Sequence, residues 1–244
     1  MKKNIFIFLL IFSSVFVYSC NQDDKINTMP TETSNELKQY SYLALGDSYT
    51  IGQSVGVEER WPAQLVESLF RSGYNVAPLK IIAQTGWTTD ELKEAILSED
   101  LQETYDLVTL LIGVNNQYRN LDTLEYRTEF EELLQMAVSF AGNNVKNVVV
   151  VSIPDYGVTP FGQARDPIKI AKEIDEFNQI NYEETIKAGV TYVNITPISR
   201  EAENNPELIA EDGLHPSGVM YGEWVKLILP EVKLIFDNQI IDPR

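Results

Sequence analysis

Tyr42-Leu43-Ala44-Leu45-Gly46-Asp47-Ser48-Tyr49-Thr50 passes from a short apolar run through a glycine into polar residues. Such a run predicts a strand over 42–45, buried on both faces, with Ser48 just beyond its end. Four more runs read the same way, at Leu79–Ala83, Leu107–Ile112, Val148–Ile153 and Val190–Ile195. Amphipathic segments alternate with them. Helices are expected over Trp61–Phe70, with Pro62 suited to the first turn, and over Thr88–Leu97, opened by the capping pattern Thr88-x-x-Glu91. A third covers Phe130–Val138, where Phe130, Leu133, Leu134, Ala137 and Val138 form one apolar stripe and leave Glu129, Glu131 and Glu132 to water with no other role. A fourth starts after Asp166-Pro167 with Ile170, Ile174 and Phe177 inward, and a last follows Ser217 with Trp224 and Leu227 in its core stripe. Strands alternating with helices define an α/β domain, a mostly parallel five-stranded sheet with helices on both faces.

Open parallel sheets bind ligands beyond the carboxyl ends of their strands. Ser48 follows the first strand, Gly86 the second and Asn115 the third, while His215 lies in the loop before the final helix. His215 is the only histidine of the chain, and Asp212 precedes it by three residues in Asp212-Gly213-Leu214-His215-Pro216-Ser217. Histidine accepts and returns a proton near neutral pH, which a serine nucleophile requires of its partner.

Four blocks in this order, Gly46-Asp47-Ser48, Gln84-Thr85-Gly86-Trp87, Gly113-Val114-Asn115-Asn116 and Asp212-Gly213-Leu214-His215-Pro216, resemble those of the GDSL esterases of the SGNH hydrolase superfamily. The likeness spans Tyr42 to about Trp224. It implies a flavodoxin-like three-layer α/β/α sandwich, with Ser48 as nucleophile, His215 as general base and then acid, and Asp212 as the group that orients the imidazole. It also implies an oxyanion hole made by the backbone N–H groups of Ser48 and Gly86 and the side-chain amide of Asn115. Asn116 departs from the family pattern, which has aspartate there; charge is lost while the hydrogen-bonding shape survives, so altered support of the site is expected rather than inactivity. The Gly-x-Ser-x-Gly elbow of ordinary α/β-hydrolases is absent.

The N-terminus reads as an export signal over residues 1–19: Met1-Lys2-Lys3, then an apolar stretch from Ile5 to Tyr18, too short to span a bilayer. Val17-Tyr18-Ser19-Cys20 resembles the lipobox of bacterial lipoproteins, which implies lipidation of Cys20, the only cysteine, and a cell-envelope location. Residues 20–38 are polar and aperiodic, a flexible tether, and residues 39–244 suit one domain. Net charge is −17 and becomes more negative once Lys2 and Lys3 are removed, which argues against nucleic acid as a partner. No phosphate-loop or dinucleotide fingerprint is present, and one histidine and one cysteine are a poor set for a metal site, so no cofactor or metal is expected.

Tyr49, Trp87, Tyr118 and Tyr156 are candidates for pocket walls or for packing, Arg119 for a polar substrate group or the open surface, and Ile153–Gly157 for one wall of the pocket. The expected substrate is a carboxylic ester, either a short acyl group on a carbohydrate or a lysophospholipid-like ester. Two other classes compete. A non-catalytic glycan- or acyl-binding lipoprotein on the same fold is disfavoured by the intact Ser48, Asp212 and His215, and a carboxylate-pair glycosidase by the lack of any spacing that places a pair.

Overall fold

The computed structural model describes residues 38–99, 101 and 103–241, so Cys20, the leader and nearly all of the tether lie outside the described residues. In chain order the main elements are β1 (Gln39–Gly46), α1 (Ser48–Ile51), α2 (Trp61–Arg71), β2 (Asn75–Ala83), α3 (Thr89–Ser98), β3 (Leu107–Leu111), α4 (Val114–Tyr118), α5 (Thr123–Phe140), β4 (Val148–Val151), α6 (Pro160–Gln163), α7 (Pro167–Ala188), β5 (Thr191–Val193), α8 (Thr196–Arg200) and α9 (Gly218–Ile241). The five strands form one parallel sheet in the order β2-β1-β3-β4-β5. This is the flavodoxin-like order, and the reversal between β1 and β3 is its switch point.

Right-handed crossovers dictate the layers. The step from β1 to β2 runs one way across the sheet and the later steps run the other, so α2 covers one face and α3, α5 and α7 the opposite one. The packing agrees: α3 meets α5, α5 meets α7, and α2 meets α9, which returns the chain to the first face. Gly46 sits level with both Ala83 and Leu111 in the register, so β1, β2 and β3 end at one height.

β3 and β4 are buried along their whole length, as double-sided strands should be. β2 and β5 are edge strands and are not. Lys80 interrupts the apolar run of β2 and pairs with Glu99 at 2.8 Å, a charge that blunts an exposed edge. In α9, Trp224 and Ile228 face the core, whereas Leu227 turns outward and is exposed. α5 begins seven residues earlier than its stripe predicts, because the Asp122 carboxylate caps it by accepting from Leu124 N and Glu125 N. The three α5 carboxylates do have partners. Glu129 accepts from the Thr89 hydroxyl, Glu132 from Lys93 at 2.5 Å and Glu131 from Lys187 at 3.0 Å, so α5 is cross-linked to α3 and α7.

Where β3 gives way to α4, Gly113 takes φ +127°, and a Cβ there would lie 2.3 Å from the Tyr126 hydroxyl. That hydroxyl is itself fixed, donating to Asn181 Oδ1 at 2.6 Å. Gly113→Ala should therefore cost about 2–4 kcal/mol of stability, from backbone strain and overpacking together. Urea unfolding of parent and variant measures it.

Candidate active site

Ser48 is the first residue of α1, buried at the carboxyl end of β1. Asp47 caps that short helix, its Oδ1 accepting from Tyr49 N at 3.0 Å, and Gly52 closes it. The Ser48 N–H at the helix start has no acceptor among the described residues, so it is available to an anion in front of the helix. Asp47 is fully buried, its other oxygen has no partner, and desolvation pushes its carboxyl up to about 7.

Gly86 follows β2 at φ +92°, a conformation L-residues avoid. Two groups from the α4 segment hold its loop. Asn115 Nδ2 donates to Trp87 O at 2.9 Å, and Arg119 Nη2 donates to Gly86 O at 2.7 Å while its guanidinium pairs with Glu91 at 3.2 Å. The Glu91 carboxylate in turn accepts from Thr88 N at 2.9 Å. Arg119 is thus a strut for the Gly86 loop, a role its place in the sequence gave no sign of. Since one hydrogen of the Asn115 amide is engaged by Trp87 O, the geometry of the other is set by the same bond.

Asn116 is buried and bonds to the start of α3, its Oδ1 accepting from Thr89 N at 3.1 Å and its Nδ2 donating to Thr89 Oγ1 at 2.6 Å. The Thr89 hydroxyl passes its own proton to the Glu129 carboxylate. A neutral amide at position 116 suits this chain of donors, and the negative charge stands one link further out.

His215 Nδ1 meets Asp212 Oδ2 at 2.6 Å, which assigns the proton to Nδ1 and leaves Nε2 as the basic nitrogen. Asp212 Oδ1 accepts from both Leu214 N and His215 N at 2.9 Å. Its Oδ2 takes a second proton donor, Ser54 Oγ, at 2.6 Å. Burial pulls the Asp212 carboxyl up, yet these four donors outweigh it and hold the group well below the usual carboxylate range. The Tyr49 ring meets the imidazole in an edge-to-face arrangement, with the ring centroids 5.8 Å apart.

Ser48, Gly86, Asn115 and His215, which the chain spreads over 168 positions, line one cavity of about 180 Å³. Tyr49, Tyr118 and Tyr156 line it too, with Phe161 and Leu214. Asp212 stands behind His215. No hydrogen bond joins Ser48 Oγ to His215 among the described residues, a looseness common where substrate is absent. Trp87 lies instead in a second, more open hollow of about 490 Å³, which shares Thr85 and Gly86 with the first and is walled by Gln84, Glu91, Glu94 and Arg119.

The chain belongs to the GDSL-like Lipase/Acylhydrolase family, whose model matches residues 44–222. An arylesterase of Vibrio mimicus is 25% identical over 175 residues, covering 71% of this chain and 78% of that protein. Two solved structures share the fold. The TesA structure has a TM-score of 0.62 at 17% identity, covering 80% of this chain and 99% of that one. An acetyl-xylooligosaccharide esterase of Geobacillus has a TM-score of 0.60 at 20% identity, with 79% and 94% covered.

Asp47 makes stability depend on pH. Its carboxyl titrates near the ordinary value of about 3.9 when unfolded and at about 7 when folded, so the native state holds the proton more tightly. The stability this lends is complete below about pH 4 and is lost as pH rises through about 7. Asp47→Asn cannot ionise and should gain stability relative to the parent between about pH 4 and about pH 8, whatever its constant offset. Urea midpoints across that range provide the check.

Proposed function

We propose that this protein is an exported lipoprotein, anchored through Cys20, and a serine esterase that removes short acyl groups from a hydroxyl-rich alcohol such as a carbohydrate. The observation that carries the reading is the pair of adjoining hollows. The one containing Ser48 and His215 holds about 180 Å³, below the roughly 300–1,000 Å³ of sites that enclose drug-sized ligands, and its walls include Tyr118, Tyr156 and Phe161. That suits a short acyl group better than the long chain of a lysophospholipid-like ester. The neighbouring hollow offers carboxylates, a guanidinium and an amide, partners for hydroxyl groups of the departing alcohol.

In the proposed reaction Ser48 Oγ attacks the ester carbonyl while His215 Nε2 takes its proton. Asp212, bonded to Nδ1, stabilises the imidazolium that forms. Charge on the carbonyl oxygen is met by the N–H groups of Ser48 and Gly86 and by the Asn115 amide, whose bond to Trp87 O fixes its direction before substrate arrives. His215 then protonates the leaving alcohol, and a water activated by the same nitrogen hydrolyses the acyl-enzyme.

The first test is hydrolysis of nitrophenyl esters from acetyl to long acyl chains. Acetyl and propionyl esters should be cleaved best, with kcat/KM falling as the chain lengthens. Ser48→Ala should abolish turnover, and Asn115→Ala should lower kcat by roughly 10²–10³. A preference for long chains would instead favour the lipid ester. Absence of hydrolysis by the parent, with acylated glycan still bound by Ser48→Ala, would indicate a binding protein on this fold.

A further inference from the structure

Ser54 lies six residues beyond Ser48, in the turn that leaves the short helix α1. Its hydroxyl donates to Asp212 Oδ2 at 2.6 Å, across 158 positions of sequence, onto the same oxygen that meets His215 Nδ1. Apart from His215 itself, Ser54 is the only side chain among the described residues that bonds to Asp212. The Asp212 carboxylate needs such a partner. Its side chain is 31% exposed, and the rest of its support comes from two N–H groups of its own loop.

The backbone at Ser54 carries an independent sign. Three non-glycine residues have positive φ among the described residues: Ser54 at 67°, Asn120 at 55° and Asn143 at 60°. Asparagine visits this region readily, whereas serine does so at a cost. A strained residue persists where the surrounding structure over-determines it, and here the strained residue aims its hydroxyl at the carboxylate behind the imidazole. The adjacent Gln53 accepts from Thr85 Oγ1 at 2.6 Å, so one turn reaches both the Gly86 loop and the Asp212 loop.

We infer that Ser54 is a positioning residue of the catalytic apparatus, a fourth member that fixes the Asp212 carboxylate against His215 and holds the loop of the nucleophile in register with the loop of the base. The inference rests on the esterase reading for its effect on turnover, but not for its effect on His215. Removing the Ser54 hydroxyl leaves Asp212 Oδ2 with one donor instead of two. The carboxylate becomes more basic, and it favours the protonated imidazole more strongly. The other titratable groups around His215 and Asp212 are Tyr49 on α1, Tyr118 on α4, Asp155 and Tyr156 on the loop after β4, and Tyr221 on α9. Asp155 is already engaged by Arg200 at 2.9 Å, and neither it nor the tyrosines bonds to Ser54.

Two substitutions separate the hydroxyl from the backbone. Ser54→Ala removes the donor and keeps the strain, while Ser54→Gly removes the donor and relieves it. Since His215 is the only histidine, its NMR titration is free of overlap from others. In both variants the imidazole titration and the acid limb of kcat/KM should move to higher pH by similar amounts. Both should lose about three- to tenfold in kcat/KM for the acetyl ester near neutral pH. Ser54→Gly should melt no lower than the parent, which a purely structural role would not produce. An unmoved His215 titration in both variants would overturn the inference. If the parent hydrolyses no ester, the esterase reading falls, yet the titration still decides the role of Ser54.

Discussion

A parallel strand can rejoin its sheet only through a crossover, and the crossover has one hand. When the chain steps from β1 to β2 and then doubles back to β3, successive helices are forced to opposite faces. No helix can cover the gap between the ends of β1 and β3. The residues of the candidate site are gathered around that gap. Ser48 leaves the end of β1, Gly86 follows β2, and Asn115 follows β3, all at a common height. His215 arrives last, in a loop closed by the Ile209–Pro216 bridge and by Ala210 N donating to His215 O. The crevice is a consequence of winding direction, and the side chains occupy a place that topology had already opened.

The strands and long helices were legible because period and length carry them: Val148–Val151 is buried on both faces and reads as an unbroken apolar run, and so does Leu107–Leu111 save for Thr109, whose hydroxyl bonds to that of Tyr42. The edge strands were found but misjudged, since a sequence run does not reveal whether a strand has one neighbour or two. Lys80 was the residue that carried this information. The grouping of Ser48, Gly86, Asn115 and His215 was legible for a different reason, because all four sit just past strand ends or before a helix, where the fold must gather them. What stayed hidden was long-range side-chain bonding. Nothing local marks Ser54 as a partner of a residue 158 positions away, and Glu129, Glu131 and Glu132 looked like a solvated face until α3 and α7 were placed beside them. Arg119 was open between two surface roles, and it fills a third.

The same chain that carries a large net negative charge buries one carboxylate, Asp47, without any cation beside it. Burial of this kind is tolerated when the group stays protonated. Its one fixed bond, from Tyr49 N, belongs to the helix that presents Ser48. The capping role therefore comes with a titration that reaches neutral pH, and the fold around Ser48 is less stable with Asp47 ionised than with Asp47 neutral.

The link from Asn116 through Thr89 to Glu129 couples the charge that suits one position to the charge at another. Thr89 has one hydroxyl proton, and it is already given to Glu129. An aspartate at position 116 would keep the Thr89 N–H as a donor but would set two carboxylates against that single hydroxyl proton, so the neutral amide is the better partner here. The start of α3 is thereby tied to α4 on one side and to α5 on the other through a single hydroxyl.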